Sequence, residues 1–202
     1  MHRMYIVNLF KGVSMATKIY IDQGHNPQAP NTGAEGNGYR EQDITYEVGA
    51  RLAQLINQNP ELEARLSRPT RGTQLGTSNA SSLRERVNDA NSWGADYFIS
   101  IHTNASDSPV ARGTEVLVYR SPSVASRLAE DVLQGVVDAS GFPSRGVKQR
   151  PGLYVLRKTN MPAILVELGF ITNPQEANLM ANNPGIFARG IYNGILNFLN
   201  LS

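Results

Sequence analysis

Four side chains in this sequence could together bind a metal ion and catalyse a hydrolysis: His25, Glu41, His102 and Glu167. Each lies at the end of a predicted strand or in the first turn of a predicted helix. Two histidines and one carboxylate are sufficient protein ligands for a hydrolytic zinc ion, and they leave the fourth position open for water. A second carboxylate beside that water can act as a general base. These residue types therefore predict metal-dependent hydrolysis, provided that the fold brings them together.

Taken singly, most of these residues have ordinary explanations. His25 lies in a loop rich in Gly, Asn and Pro, where a histidine is commonly a surface residue. His102 follows an apolar strand and could be a hydrogen-bonded buried histidine, and Glu41 in a first helical turn suits the helix dipole. Glu167 is harder to explain, because an acid within the run AILVELGF is costly to bury without a partner. No H-E-x-x-H motif occurs, which excludes a helix-based zinc protease.

The elements that must position these residues alternate between strands and helices. Hydrophobic periodicity predicts strands at residues 18–22, 62–66, 96–102, 114–119 and 163–170, with a short extended piece at 153–156. It predicts helices at about residues 41–59, 82–93, 123–140 and 184–200, with a short helix from 174. This alternation predicts one α/β domain with a mostly parallel, twisted central sheet flanked by helices on both faces. Binding sites in such sheets lie beyond the carboxyl ends of the strands.

Two local patterns refine this prediction. Residues 23–38 contain four glycines, two prolines and three asparagines, which is typical of a long functional loop. The S-x-x-E pattern from Ser82 to Glu85 predicts a capping box at the start of the second helix. Asp22 is interpreted as an ordinary loop residue.

Composition and charge exclude several classes of function. The chain of 202 residues has 41% hydrophobic and 18% charged residues and a net charge of +2. Arg3 and Lys11 lie in the acid-free first 15 residues, so the rest of the chain carries equal numbers of acidic and basic residues. No basic stripe indicates nucleic-acid binding, and no apolar run approaches the roughly 20 residues that a membrane span needs. Without cysteine, any metal must be held by His, Asp and Glu.

The first residues are interpreted separately. Residues 1–15 are predicted to be a leader that derives from expression cloning or is disordered. Their apolar stretch is interrupted by Asn8 and Lys11 and is too short for a signal peptide. Met15-Ala16 has the character of a second, more natural start.

The sequence resembles a known family at these residues: the zinc-dependent N-acetylmuramoyl-L-alanine amidases of bacterial and phage cell-wall lysis. The resemblance extends over about residues 17–200, and its segments are, in order, IYIDQGHNP, YREQDITYEVGARLAQLI, LRERVNDANSWGADYFISIHTNAS, RGTEVLVY and LYVLRKTNMPAILVELGFITNPQEANLM. The resemblance implies that residues 16–202 form a catalytic domain that cuts the amide between the lactyl group of N-acetylmuramic acid and the L-alanine of the stem peptide.

The resemblance also implies residue roles. One zinc ion would be held by His25, Glu41 and His102, with Glu167 as the catalytic carboxylate. Asn104 either orients substrate or a neighbouring group, or simply closes a turn. Arg86 is expected in a structural ion pair, and Glu115 is left open between these two kinds of role.

Two positions depart from the family pattern. The usual glycine after the first histidine is Asn26, and the common lysine before the first-turn glutamate is Arg40. Neither position supplies a ligand, so the departures affect loop shape and substrate preference.

Three functions remain open from the sequence. The first is an amidase acting on peptidoglycan outside the cytoplasm, although no signal peptide is evident. The second is a catalytically silent peptidoglycan-binding module, and the third is a zinc hydrolase of a different amide. A wall-binding module or an activator protein would have to be supplied from outside this chain. Residues 119–146 hold a single predicted helix, so the site is expected to be open, without the inserted helix that plugs it in some relatives.

Overall fold

A six-stranded sheet organises the protein. The computed structural model describes residues 16–201, so the predicted leader lies outside the described residues. The strands stand in the order β4-β1-β5-β8-β6-β7. They are β1 (Thr17–Gln23), β4 (Leu62–Leu66), β5 (Tyr97–Asn104), β6 (Thr114–Val118), β7 (Ser144–Gln149) and β8 (Ala163–Phe170), and a separate small hairpin is formed by β2 (Glu35–Gly36) and β3 (Tyr39–Arg40).

Strand direction decides which residues reach the edge of the sheet that carries the site. β1 pairs in parallel with β4 and β5, and β5 pairs in parallel with β8. β6 is antiparallel to β8 and parallel to β7. The carboxyl ends of four strands and the amino ends of two therefore lie along one edge. This confirms the predicted mostly parallel sheet, and it adds the beginnings of β6 and β7 to the predicted site edge.

Helices cover both faces of the sheet, as predicted. Side chains that alternate along the strands form two apolar clusters, one on each face. The larger cluster packs against α1, α3, α5 and α6, and the smaller against α2 and α4. No helix of residues 16–201 has the length and apolar content that crossing a membrane requires. The helices are α1 (Glu41–Asn57), α2 (Asn79–Trp93), α3 (Val124–Ser140), α4 (Tyr154–Lys158), α5 (Pro174–Asn182) and α6 (Pro184–Leu199).

Two local predictions are wrong and one strand was not predicted, each for a physical reason. Residues 153–156 were expected to be extended, but Tyr154–Lys158 forms one helical turn that buries Val155 and Leu156. The cap of α2 is Ser78, one turn before the predicted position, and its side chain accepts from the amide of Ser81. Ser82 is instead buried inside the helix, where it interacts with the loop that follows β1. Strand β7 has no apolar periodicity because it is the exposed edge of the sheet.

The region between β6 and β8 bears on the predicted open site. Residues 119–146 contain α3 and the first residues of β7. α3 packs against α6 on the face of the larger cluster. It therefore lies on the opposite face from the side chains of His102 and Glu167.

Helices α3 and α6 approach closely at three glycines. A Cβ on Gly194 would lie 2.6 Å from the Asp131 carbonyl oxygen and would also overlap the backbone of Val132. Gly135 and Gly190 face each other in the same contact. Because backbone atoms rather than flexible side chains fill this space, the helices can accommodate added carbon only by moving apart.

We expect Gly194→Ala to lower the free energy of unfolding by about 1–3 kcal/mol, the usual cost of overpacking. Gly72→Ala is the matched control, because a Cβ there meets nothing within 4 Å. Urea unfolding of both variants measures the difference. Equal stability of the two variants would contradict the close helix contact.

Candidate metal centre

Three of the sequence-predicted residues form a compact cluster. His25 Nε2 lies 3.2 Å from Glu41 Oε2, and His102 Nδ1 lies 3.1 Å from Glu41 Oε1. The two imidazole rings are 4.8 Å apart and nearly perpendicular. One donor atom from each residue lies within 4.8 Å of the other two, so the group could hold a metal ion. Two imidazoles and one carboxylate fit the donor preference of zinc.

Each member of the cluster comes from a different element. His25 follows β1, Glu41 opens α1, and His102 lies near the end of β5. Backbone amides fix the Glu41 carboxylate, since Ala34 donates to Oε2 at 2.8 Å and Thr103 donates to Oε1 at 2.9 Å. Burial raises the pKa of Glu41, but the hydrogen bonds and charges of His102 and His25 outweigh it and hold that pKa well below its usual range. The carboxylate is therefore ionised and held in one orientation, both of which metal binding requires.

Two glycines allow the loop after β1 to approach the ligands. A Cβ on Gly24 would lie 2.6 Å from His102 Nε2, and a Cβ on Gly33 would lie 2.7 Å from Glu41 Oε2 and 2.9 Å from His25 Cδ2. His25 itself has φ of 66°, in the left-handed region that non-glycine residues rarely occupy. The loop after β1 that carries His25, called the ligand loop below, is thus held in a conformation that contacts with the rest of the protein must stabilise.

A buried arginine supplies that constraint. Arg86 donates to Asp22 Oδ1 at 2.5 Å, to the Gln23 carbonyl at 2.7 Å and to the His25 carbonyl at 2.6 Å. Asp22 also accepts from the Ser100 hydroxyl. Burial raises the pKa of Asp22, but the charge of Arg86 outweighs it and lowers that pKa. The expected structural ion pair of Arg86 is present, and the interpretation of Asp22 as a loop residue is wrong.

Asn26 acts as a second brace for the same loop. Its amide donates to the carbonyls of Pro30 at 2.9 Å and Leu75 at 2.8 Å, and its side-chain oxygen accepts from Arg86 at 3.1 Å. A glycine cannot make these bonds. The departure from the family pattern at this position therefore changes how the loop is held.

Glu167 lies beside the cluster on the same face of the sheet. It is the register partner of His102 on β5 and of Glu115 on β6. Its Oε2 is buried without a hydrogen-bond partner in residues 16–201. Burial, followed by the charges of Glu41 and Glu115, raises the pKa of Glu167 to about 8. A carboxyl group in this state can both accept and return a proton near neutral pH.

Glu115, whose role could not be decided from the sequence, is contacted by two cations and an amide. Glu115 Oε2 accepts from Arg145 at 3.0 Å and from the Lys148 ammonium. Its Oε1 accepts from the Asn104 amide at 3.3 Å. Burial raises the pKa of Glu115, but Lys148 and Arg145 outweigh it and lower that pKa. No sequence pattern indicated this arrangement, because Arg145 and Lys148 lie on the edge strand β7, which was not predicted.

A small cavity opens next to the two histidines. Its volume is about 120 Å³, and its lining is mainly apolar. The walls come from α2, the segment around α4, β8 and the ligand loop, through Leu83, Leu153, Tyr154, Leu165 and His25 among others.

The fold and the cluster are together typical of a metal-dependent hydrolase: two histidines and an ionised glutamate that could hold a metal lie beside a carboxyl group whose buried Oε2 has no hydrogen-bond partner in the described part of the chain. Comparison with known proteins specifies the class further. The chain belongs to the N-acetylmuramoyl-L-alanine amidase family (Amidase_3), which matches it over residues 19–197.

Similar proteins agree with this assignment. The N-acetylmuramoyl-L-alanine amidase CwlM of Bacillus licheniformis is 36% identical over 189 residues, which cover 92% of this chain and 70% of that protein. The catalytic domain of the CwlV amidase from Bacillus (Paenibacillus) polymyxa superposes with a TM-score of 0.81 at 30% identity, covering 92% of this chain and 99% of that one. The CwlD amidase of Clostridioides difficile, solved in complex with the GerS lipoprotein, gives a TM-score of 0.81 at 25% identity, covering 91% and 98%.

We expect Gly33→Ala to weaken metal binding at least about tenfold, because the added methyl group must displace the Glu41 carboxylate or the His25 ring. Metal affinity is measured by competition with a chromogenic chelator. Gly72→Ala, whose Cβ has no neighbour within 4 Å, is the control and should bind like the parent. Unchanged affinity in Gly33→Ala would show that the loop does not position the ligands.

The raised pKa of Glu167 predicts a pH-dependent stability of the metal-free protein. The folded state holds this proton more tightly than the unfolded state, so the stabilising contribution is complete below about pH 4.5 and is lost as the pH rises through about 8. In metal-free protein, Glu167→Gln should therefore raise the free energy of unfolding at pH 9 by on the order of 2 kcal/mol and change it little at pH 5. Denaturant unfolding at both pH values measures this, and an equal effect at both would contradict it.

Proposed function

We propose that this protein is a zinc-dependent peptidoglycan hydrolase that cuts the amide between the lactyl group of N-acetylmuramic acid and the L-alanine of the stem peptide. One observation carries the proposal: two histidines and an ionised glutamate cluster next to Glu167, whose buried Oε2 has no hydrogen-bond partner within residues 16–201, in a chain of the N-acetylmuramoyl-L-alanine amidase family. Residues 16–202 would form the catalytic domain.

Zinc is the proposed metal, held by His25, Glu41 and His102. The donor set contains no thiolate, and imidazole with carboxylate matches catalytic zinc sites that leave one position free. When bound, zinc supplies electrostatic polarisation of the scissile carbonyl and of water. The hydrogen-bonded Glu41 carboxylate and the His25 loop held by Arg86 would fix the position of the zinc ion relative to the substrate.

Glu167 is the proposed catalytic acid and base. Its Oε2 would accept a proton from the attacking water and then return this proton to the alanine nitrogen as the amide bond breaks. Burial raises the pKa of Glu167 above that of an ordinary glutamate, which favours return of the proton to the leaving nitrogen. Asn104 is proposed as a positioning residue, because its amide contacts Glu115 while its backbone continues β5 directly beyond His102.

The proposed place of action is outside the cytoplasm, at the cell wall, because the substrate is found there. Peptidoglycan is the proposed partner. The lipoprotein bound to CwlD belongs to that protein, and for this chain we propose an open site that works without an activator. Full activity of the purified chain is the expected result, and a strict requirement for a second protein would contradict it.

The two alternative functions, a silent binding module and a hydrolase of another amide, differ from the amidase in the reactions they catalyse. A silent binding module would have no use for an intact ligand set beside a protonatable carboxyl group. A hydrolase of another amide would cut simple acyl amino acids as well as muramoyl peptides, so comparison of these substrates distinguishes it.

The test is digestion of purified peptidoglycan with and without a zinc chelator. The expected products are new N-terminal alanine without new reducing sugar, lost on chelation and restored by zinc. Release of reducing ends would indicate a glycosidase. No release with zinc bound would favour the binding module.

Two substitutions separate metal binding from proton transfer. Glu167→Gln should keep one zinc per chain and lose at least about 10³-fold in kcat, since it removes the proton acceptor but no ligand. His102→Ala should lose the zinc itself. Metal analysis and turnover of both variants give the result, and activity of Glu167→Gln within a few-fold of the parent would exclude Glu167 as the base.

A further inference from the structure

The direction of the bound substrate follows from the roles of the site residues. The scissile carbonyl belongs at the His-Glu-His cluster, and the leaving nitrogen belongs at Glu167, which returns the proton to it. Glu167 lies on β8, and the next strands in the sheet are β6 and β7. The peptide that leaves with the nitrogen therefore extends away from the cluster, over β6 and β7 at the level of Glu115, the register partner of Glu167.

Two cations lie in that direction. Arg145 and Lys148 on β7 both contact the single carboxylate of Glu115, which is the register partner of Glu167. The three side chains together carry one excess positive charge. The side chains of Arg145 and Lys148 are 37% and 32% exposed, whereas that of Glu115 is 7% exposed. The excess charge is therefore presented to solvent beside the proposed base.

The cations also retain hydrogen-bonding capacity. A lysine ammonium has three protons, and the hydrogen bonds found within residues 16–201 use one of them, on Glu115. Arg145 donates through Nε to Glu115 and through one terminal nitrogen to the Arg112 carbonyl. Its guanidinium also lies 5.0 Å from the centre of the Phe170 ring, which restricts its orientation. One cation would suffice to neutralise Glu115, so the second requires another explanation.

We propose that Lys148 and Arg145 bind the free α-carboxylate of the second residue of the stem peptide. Peptidoglycan stem peptides continue through the γ-carboxyl of this residue, which leaves its α-carboxyl group free or converted to a carboxamide. A carboxylate forms ion pairs with lysine and arginine and offers them two acceptor oxygens, whereas a neutral carboxamide forms no ion pair and offers only one. The pair thus selects stem peptides whose second residue is not amidated. This inference rests on the proposed amidase function.

The distances allow this contact. One residue extends a peptide by about 3.5 Å, so the α-carboxylate of the second residue lies roughly 6 Å from the leaving nitrogen. Neighbouring strands are about 4.8 Å apart, and both cations reach back to Glu115 on the strand next to Glu167. The α-carboxylate of the second stem residue therefore falls within reach of the Lys148 ammonium.

The experiment uses two muramoyl tripeptides that differ only at this α-carboxyl group, free in one and a carboxamide in the other. The zinc-loaded full chain should cleave the free acid with a kcat/KM at least about tenfold higher, as expected for one or two charge-assisted bonds. In Lys148→Met the ratio should fall to about threefold or less, mainly through KM for the free acid. Arg145→Gln should reduce the same ratio.

Lys158→Met is the matched control. Lys158 is an exposed lysine in the last turn of α4, before β8 begins, and so lies towards the opposite end of this strand from Glu167. This variant should keep the parental ratio. Thermal unfolding and zinc content, measured for every variant, identify loss of folding. If Lys148→Met does not fold, Lys148→Gln and Arg145→Gln carry the same test.

The outcomes separate this inference from the function on which it rests. Equal cleavage of both tripeptides by the parent overturns the inference and leaves the amidase function standing. If the folded Lys148 and Arg145 variants slow cleavage of both tripeptides equally, so that the ratio of their kcat/KM values does not change, the inference is also overturned. The two cations would then serve only to neutralise Glu115. Failure of the parent to cleave either tripeptide or whole peptidoglycan overturns the function and the inference together.

Discussion

The buried ion pair between Arg86 and Asp22 is the constraint on which the site depends. It joins α2 to the end of β1, and the same guanidinium also donates to the carbonyls of Gln23 and His25. These bonds hold His25 at a positive φ that an isolated loop would not maintain. Breaking a buried pair leaves an uncompensated charge, so the loop cannot relax independently of the fold. The position of His25 in the cluster is therefore set by the sheet and α2 together.

Much of this arrangement could be predicted from the sequence. His102 and Glu167 end up as register partners because two apolar strands in a parallel sheet carry polar residues at corresponding positions, and Glu41 follows from the start of an amphipathic helix. Glu115 and its two cations could not be predicted. Their proximity depends on the antiparallel pairing of β6 with β8, and the edge strand that supplies the cations has almost no apolar pattern. Asp22 was misread for a similar reason, because its partner lies 64 positions away.

Charge is distributed unevenly around Glu167. On one side, Glu41 is ionised and oriented by backbone amides and two histidines. On the other, Glu115 is balanced by Lys148 and Arg145. Glu167 alone has neither a cation nor a donor at its buried oxygen in the described part of the chain. The fold thus gives two carboxylates hydrogen-bond partners and leaves the buried oxygen of the third without one in the described residues, which suits a group that exchanges a proton.

The most direct test of this account is an anomalous-scattering measurement at the zinc edge on crystals of the zinc-loaded protein. The account predicts one ion, about 2.0–2.2 Å from a donor atom of His25, Glu41 and His102, with the Glu167 carboxylate nearby but not coordinated. An ion bound elsewhere, or Glu167 as a ligand of this ion, would contradict the division between residues that hold the metal and the residue that moves the proton.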